Sequence, residues 1–320
     1  MKKRLHYLAM LLMSLSIGFV SCGSDDDDSI GGGSASATTG VLDGLNKRVK
    51  SIGDYTFYYK DNGMLDYITE GRGRYEFTYN PNKIVYIYDG KEKDMDIVVT
   101  YNGLGYVARV DMTNVFINDE DEGYGTGQET ISCAYDNQGH LTSIKGSKKE
   151  SYKGYEYNYT LKDTYSVLLT WENNLLLSTV GDGRLESGGD RGRYRWTSTY
   201  SYDNALIDDY HNKHQQYVPS VLQFLNNGDV LDCFVDKGPL VALAYAGLMG
   251  KGSLYLPVSS VDTDEEYFEG EEDYNRSYTH NFRYGFNSDG SIANTSINGS
   301  RYNFGYEYLN SVDRAAVATW

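Results

Sequence analysis

A degenerate repeat of strand, turn and strand constrains the fold of this chain more than any other feature of its sequence. One copy runs from Tyr55 to Ile68 and places an Asp-Asn-Gly turn between two stretches in which apolar and polar residues alternate. Alternation with a period of two gives a strand one buried face, and Asn-Gly or Asp-Gly sequences supply the positive φ of tight turns. Each copy therefore predicts a β-hairpin. The turns lie at residues 60–63, 102–103, 136–139, 203–204 and 287–290.

Composition supports a fold built from strands. The 320 residues include 32 Tyr and 35 Gly but only 4 Pro, which suits many strands joined by tight turns. A long series of hairpins twists and curves as it grows. We therefore predict an all-β protein with one large, curved antiparallel meander, forming an open or partly closed barrel-like sheet. No second linker divides it, so residues 41–320 are expected to form a single domain.

The repeat is interrupted between residues 205 and 258. Pro239 precedes a run rich in Leu and Ala that ends at Gly250. Proline at the start and glycine at the end are typical of a helix. We therefore predict a short helical insertion near residues 210–250 that plugs or caps the curved sheet.

The N-terminus has the pattern of a secretory signal peptide. Residues 1–21 combine cations at positions 2–4 with an apolar run that is too short to span a membrane. The sequence up to Cys22 resembles the lipobox of bacterial lipoproteins, although Phe19 replaces the usual Leu. That resemblance implies that the Cys22 thiol is acylated, as with palmitate. The alternative is an ordinary secreted protein whose signal peptide ends near a chance cysteine.

An acidic and then flexible segment follows this cysteine. The sequence Ser24, Asp25, Asp26, Asp27 and Asp28 resembles the surface-export signal of Bacteroidetes lipoproteins, whereas the alternative is a solvated acidic run. Residues 29–40 are rich in Gly, Ser, Ala and Thr and have little to bury, so residues 22–40 are expected to form a tether. The resemblance implies a protein that is lipid-anchored in the outer membrane and faces the cell exterior.

The repeats themselves carry a second resemblance. Their form, Tyr/Phe-x-Tyr, then Asn/Asp-Gly, then Leu-x-x-Ile, resembles the tyrosine–aspartate repeats of bacterial surface proteins. Together with the interrupting segment at residues 247–257, the pattern over most of residues 50–308 is similar to a Bacteroidetes surface-lipoprotein family of unknown function. That similarity implies a β-rich, partly barrel-like domain and carries no catalytic residues.

The net charge of -16 restricts the partners. Nucleic-acid binding draws its affinity from Lys and Arg that neutralise phosphates, so we expect no nucleic-acid partner. The expected partners are the membrane, through the N-terminal lipid anchor, and a glycan or a surface protein.

Aromatic residues are the candidate ligand contacts. Trp171, Trp196 and Tyr194 lie in alternating stretches, and exposed aromatic rings of this kind stack on sugar rings. Aromatic side chains also pair across strands and stabilise sheets that bind nothing. Both interpretations stay open at the level of the sequence.

Metal and thiol chemistry is weakly indicated. His211 and His214 are three residues apart, which on a helix would place both rings on one face, but no third ligand is specified. We expect no metal site and no cofactor. The acidic stretches 119–122 and 262–273 lack the spacing of a calcium loop and are interpreted as solvated loops. Cys133 and Cys233 are expected to be buried free thiols, with a disulfide as the alternative.

No catalytic motif stands out in the sequence. Residues 247–253 resemble a phosphate-binding loop, but the spacing fails because Tyr245 stands in place of the first glycine. We therefore predict non-catalytic binding of a glycan or a protein partner. The alternatives are a structural subunit of an outer-membrane surface complex, or a carbohydrate-active hydrolase. A membrane-spanning barrel fits less well, because the strands are rich in charge.

Overall fold

The computed structural model describes most of the predicted β domain. The described residues are 41–42, 47–79, 82–88, 91–92, 95–118, 123–154, 158–188, 190–202, 243–244, 248–253, 255–270 and 273–309. The signal peptide 1–21, Cys22, Ser24, Asp25, Asp26, Asp27, Asp28, the tether, His211, His214 and Cys233 lie outside them.

All named elements of the described residues are strands. They are β1 (Val41–Leu42), β2 (Lys47–Ile52), β3 (Tyr55–Tyr59), β4 (Leu65–Glu70), β5 (Gly73–Tyr79), β6 (Asn82–Tyr88), β7 (Lys91–Glu92), β8 (Met95–Tyr101), β9 (Val107–Asn118), β10 (Gly123–Tyr135), β11 (Leu141–Lys153), β12 (Asn158–Glu172), β13 (Leu175–Ser187), β14 (Asp190–Ser201), β15 (Ser259–Phe268), β16 (Tyr274–Phe286), β17 (Ile292–Ile297) and β18 (Ser300–Tyr308).

The antiparallel meander closes into a barrel of sixteen strands. Consecutive strands pair from β2 to β18, with β6 pairing directly with β8, and β18 returns to pair with β2. The closing register sets Phe304 opposite Ile52 and Tyr308 opposite Lys47. The two-residue strands β1 and β7 pair with β2 and β6. The all-β prediction is confirmed, and the sheet is closed rather than open, because pairing β18 with β2 leaves neither strand as an unpaired edge.

The repeat turns gather at one end of the barrel, here called the lower end. Asn102 accepts hydrogen bonds at Oδ1 from the amides of Leu104 and Tyr106, at 2.9 and 3.0 Å. Asp136 does the same for the amides of Gln138 and His140, both at 2.9 Å. The glycines that close these turns have positive φ, for example 90° at Gly139 in the second turn. Local side-chain chemistry therefore sets each hairpin, as predicted.

A repeated hydrogen bond links neighbouring hairpins near the lower end. In each case an aromatic side chain near the end of one strand, or just after it, donates to a backbone carbonyl at or near the start of the preceding strand. The tyrosine pairs are Tyr59–Val49 (2.6 Å), Tyr79–Leu65 (2.8 Å), Tyr135–Val107 (2.8 Å), Tyr202–Leu176 (2.8 Å), Tyr284–Pro257 (2.7 Å) and Tyr306–Ile292 (2.6 Å). The Trp171 indole makes the corresponding bond to Leu141, at 2.8 Å.

The hydrophobic core fills the interior of the barrel. Its fully buried members come from the inner faces of strands all around the ring, and include Ile52, Phe57, Ile68, Ile97, Val110, Ile131, Val167 and Ile292. Cys133 packs against this core with a free thiol, and burial raises its pKa to about 12.

A segment from the insertion packs into the lower end of this core. Leu248 and Met249 are both buried. The Val107 amide donates to the Leu248 carbonyl at 2.9 Å, and the Lys251 amide donates to the Gly139 carbonyl at 2.8 Å. These bonds hold residues 248–253 against the barrel.

The short helical insertion predicted near residues 210–250 is not seen. Most of that range lies outside the described residues, and within it only Leu243 and Ala244 have helical backbone. The Leu248 amide bonds back to the Leu243 carbonyl, but the Leu248 carbonyl and the Lys251 amide bond to the barrel, so the backbone of residues 248–251 does not continue a helix. No helix in the part of the chain described by the structure is long and apolar enough to cross a bilayer.

Glycines on the inner face receive rings from the next strand. Tyr165 is the cross-strand partner of Gly146, and a Cβ on that glycine would lie 2.0 Å from the tyrosine ring. Trp196 is related in the same way to Gly181. These rings lie flat against the wall because their partners have no side chain.

Candidate functional site

The upper half of the wall formed by β10 to β14 is polar on both faces. In β11 the buried residues Lys148, Glu150 and Tyr152 alternate with the exposed residues Lys149 and Lys153. A strand with period-two alternation usually buries only apolar side chains. This part of the barrel buries charged side chains instead, which makes it a candidate functional site.

A buried charged cluster lies on the inner face. Glu129, Lys148 and Asp163 are successive cross-strand partners on β10, β11 and β12. The Tyr165 hydroxyl donates to Glu129 Oε1 at 2.5 Å, and Lys148 Nζ lies 2.5 Å from Glu150 Oε2. One ammonium group therefore faces several carboxylates, and two of these carboxylates are held by named partners.

Asp163 is the exception in this cluster. It is only 1 % exposed, and neither of its carboxylate oxygens has a hydrogen-bond partner among the described side chains. Burial and, to a smaller extent, the Glu129 carboxylate raise the pKa of Asp163 to about 8, against the opposing effects of Lys148 and the Thr164 backbone. The group is therefore largely protonated at neutral pH, when its burial costs least.

A groove of about 440 Å³ lies at the upper rim, close to this cluster. It is lined by Ser151, Tyr152, Lys153, Asn158, Tyr159, Thr160, Lys162, Glu186, Ser187, Gly188, Asp190 and Arg191. These residues belong to the upper ends of β11, β12, β13 and β14 and to the turn after β13, which the antiparallel pairing places side by side.

Two features give this rim groove its chemistry. Tyr152 and Tyr159 are cross-strand partners whose rings stack with centroids 5.5 Å apart, and the Tyr159 hydroxyl donates to Glu150. Glu186 lies between two cations, with Oε2 3.8 Å from Lys162 Nζ and Oε1 3.6 Å from Arg191 Nε. The groove thus offers aromatic rings, hydroxyls, an amide and charges of both signs.

The aromatic residues predicted from the sequence lie elsewhere. Trp196 is 4 % exposed and buried against Gly181, and its Nε1 has no hydrogen-bond partner among the described residues. Trp171 is half-buried, bonded to Leu141 and stacked on His140 with ring centroids 4.3 Å apart. Tyr194 lies in β14, two residues before Trp196. Neither tryptophan lines the rim groove.

The acidic stretch 262–273 is not a solvated loop over its first part, so that interpretation was wrong there. Residues 262–268 belong to β15, and Asp262 is buried on its inner face. Its Oδ2 lies 2.9 Å from His280 Nε2 in β16. The described residues include no group of three or more His, Cys, Asp or Glu side chains placed to hold a metal ion.

The rim groove could not be predicted from the sequence because four strands and a turn contribute its residues, which lie between positions 151 and 191. Tyr159 ends an alternating aromatic stretch, which is a local signal for a strand. Its stacking on Tyr152 and its position near Glu186 depend on strand register. No spacing within the sequence encodes that register.

The solved structures that resemble this chain have low sequence identity to it. No protein-family model matches the chain, and no curated protein matches it. A porin-like protein from Bacteroides vulgatus ATCC 8482 is 12% identical, with 81% of this chain and 98% of that chain covered and a TM-score of 0.43. A porin-like protein from Bacteroides uniformis ATCC 8492 is 13% identical, with 83% and 94% covered and a TM-score of 0.44.

Proposed function

We propose that this protein is an outer-membrane lipoprotein, anchored through Cys22 and facing the cell exterior, that binds a glycan in the rim groove without catalysing a reaction. The observation that carries the proposal is the lining of the groove, in which the Tyr152–Tyr159 stack lies among hydroxyl, amide and charged groups. Sugars present hydroxyl groups at their edges and apolar C–H faces, so this mixture of groups matches them.

The size of the groove supports this proposal. Ligand pockets commonly enclose about 300–1,000 Å³, and the groove encloses about 440 Å³. Most of its polar groups are supplied by regular strands, which hold them in a fixed arrangement. Pre-arranged groups lose little freedom on binding, which favours affinity for a sugar chain that fits them.

The outer face of the barrel supports attachment by a lipid anchor rather than by the wall itself. Lys145, Lys149, Lys162, Arg184 and Arg193 are exposed on β11 to β14. A lipid-facing barrel wall needs an apolar band about 25 Å tall, and a Lys or Arg at its middle costs about 2–4 kcal/mol. The described wall suits water, so the proposal assigns membrane attachment to acylated Cys22.

Glycan binding is tested with the full chain in detergent on a glycan array, followed by titration calorimetry with the glycans that bind. The groove variant Asn158→Ala with Thr160→Val is expected to weaken binding by about tenfold or more, because it removes uncharged polar contacts worth about 1 kcal/mol each. The matched control is Asn275→Ala with Thr279→Val, two exposed residues of β16 outside the groove. Failure to bind any glycan, or equal binding by wild type and groove variant, would overturn the proposal.

The anchor is tested separately by fractionation. Cys22→Ala is expected to move the protein from the membrane fraction to the soluble fraction, whereas Cys133→Ala should leave it in the membrane. Protease added to intact cells should digest the barrel if it faces outward. Retention of the Cys22→Ala protein in the membrane would contradict the anchor, and full protection from protease would contradict the orientation.

A hydrolase is the second candidate, and Asp163 is the observation that favours it. A protonated carboxyl group close to other carboxylates is the pairing that glycoside hydrolysis uses. Asp163 does not line the groove and is almost fully buried, which favours binding over catalysis. Release of reducing ends from a bound glycan, lost in Asp163→Asn, would establish the hydrolase instead.

A further inference from the structure

Exposed cations cluster on the outer face of β11 to β14, in a chain whose net charge is -16. We call this surface the basic wall, and it comprises Lys145, Lys149, Lys162, Arg184, Arg193 and Arg195. Lys149, Lys162 and Arg184 each lie between two buried residues. Lys145 is four residues from Lys149, Arg193 is the cross-strand partner of Arg184, and Arg195 is two residues from Arg193, so all six share one face of the sheet. The local sign of charge is therefore opposite to that of the whole chain.

Like charges are direct partners within the basic wall. Lys149 pairs with Lys162 across β11 and β12, and Arg184 pairs with Arg193 across β13 and β14. Like charges placed opposite each other destabilise a sheet. Folding alone does not explain two such pairs side by side, whereas an anionic ligand would stabilise both of them.

The row of cross-strand partners that contains Arg184 and Arg193 combines side chains that suit the binding of a sugar chain. Across six strands, successive partners are Thr130, Ser147, Thr164, Arg184, Arg193 and Tyr267. Neighbouring strands are about 4.8 Å apart, so the row extends for roughly 25 Å. It presents hydroxyls, then two guanidinium groups, then an aromatic ring that is 47% exposed.

The carboxylates of β11 to β14 lie outside this row, which continues on β9 to Asp111, the acceptor of the Thr130 hydroxyl. Glu186 is in the row above, between Lys162 and Arg191. Asp182 and Glu265 are the register partners of Arg195 in the row below. Arg193 Cζ lies 5.9 Å from the centroid of the Tyr267 ring, a cation–π contact that leaves its charge available. The arginine pair is thus the least compensated part of the wall.

We propose that the basic wall binds an acidic polysaccharide, with carboxylate or sulfate groups held by Arg184 and Arg193. This inference rests on the glycan-binding function and names the class of glycan. Guanidinium groups bind carboxylate and sulfate through two parallel hydrogen bonds, and the Ser and Thr hydroxyls in the same row suit sugar hydroxyls. The wall is continuous with the rim groove through Lys162, so one chain can contact both.

The test uses the full chain in detergent with two matched pairs of polymers. The pairs are dextran sulfate with dextran, and polygalacturonate with its methyl ester, so that each pair differs in charge alone and the two acidic members distinguish sulfate from carboxylate. We expect binding of at least one acidic polymer, no binding of its neutral partner, and an affinity that falls as salt is raised.

The decisive variant is Arg184→Gln with Arg193→Gln. It is expected to lower the affinity for the acidic polymer by about tenfold or more, since each guanidinium makes charged hydrogen bonds. The matched control, Arg283→Gln with Arg301→Gln, removes the same charge from exposed positions on β16 and β18 and should change affinity less than about twofold. Arg184→Lys with Arg193→Lys keeps the charge but not the paired hydrogen bonds, so an intermediate loss is expected.

Several outcomes would overturn the inference. Equal binding of the neutral polymers would leave the glycan-binding function intact and remove the preference for acid, whereas no binding by any glycan would end both proposals. An equal loss in the control pair would mean that only total charge matters. Single-stranded DNA that binds as tightly as the acidic polymer would show a surface that does not recognise sugar.

Discussion

The phenolic hydroxyl of Tyr135 donates a hydrogen bond of 2.8 Å to the carbonyl oxygen of Val107. The ladder between β9 and β10 ends at Arg109 and Ser132, so the tyrosine reaches past the last paired residues. It supplies a hydrogen-bond donor for the Val107 carbonyl, which the ladder between β9 and β10 leaves without a partner. The same contact recurs between other hairpins, which makes it part of how the barrel is closed at its lower end.

Tyr135→Phe is therefore expected to destabilise the protein. It keeps the ring but removes the donor, and leaving a buried carbonyl without a partner costs about 1–3 kcal/mol. The free energy of unfolding in urea measures the effect. Tyr124→Phe is the control, because Tyr124 is 53% exposed, and its stability should change by less than about 0.5 kcal/mol. Equal stability of the two variants would contradict the structural role of the bond.

Gly146→Ala is expected to disturb the inner face. The added Cβ would meet the Tyr165 ring at 2.0 Å, and that ring is also held by Glu129. Forcing such a ring to move typically costs about 1–3 kcal/mol. Gly103→Ala adds the same methyl group where nothing lies within 4 Å and is the matched control. Thermal unfolding of the two variants should differ, and an unchanged midpoint for Gly146→Ala would show that the ring is not fixed.

Asp163 predicts a loss of stability as the pH rises. Its folded pKa, raised to about 8 by burial, lies above the unfolded value near 3.9. Between these values the folded state holds a proton that the unfolded state has lost, so this group lowers the free energy of unfolding as pH rises from about 4 to about 8. Asp163→Asn should flatten that part of the stability profile. Parallel profiles for wild type and Asp163→Asn would refute the assignment.

Asp289 predicts the opposite dependence in acid. Burial works against ionisation, but hydrogen bonds from Lys47 and Ser291 lower its pKa to about 2. This group therefore stabilises the fold above the unfolded pKa near 3.9 and ceases to do so as pH falls through about 2. The difference in unfolding free energy between wild type and Asp289→Asn should shrink over that interval. A constant difference between wild type and Asp289→Asn over that interval would contradict the prediction.

The hairpins were predictable because their information is local. Asp136 bonds to the amides of residues two and four places later, and Gly139 closes the same turn. The predicted helical insertion is not seen: most of its range lies outside the described residues, and within it only Leu243 and Ala244 have helical backbone. A run bounded by Pro239 and Gly250 has the local pattern of a helix, but the backbone of residues 248–251 bonds to Val107 and Gly139, which are more than a hundred residues earlier.

The aromatic candidates show the same limit. Trp196 sits in a polar alternation that gives no sign of which face is buried. The glycine opposite it in β13 provides the space for its ring, and that pairing exists only in the folded sheet. In β15, likewise, the charge of Asp262 suggested solvent, whereas the register turned it inward toward His280.

The sequence by itself determined that the chain forms antiparallel hairpins, because period-two alternation and turn chemistry act over a few residues. Tertiary structure decided that β18 meets β2, so that the sheet closes, and that Tyr152 lies beside Tyr159 and Arg184 beside Arg193. These contacts join positions in different strands, and cross-strand register is a property of the assembled sheet. The groove and the basic wall therefore exist only once the strands have paired.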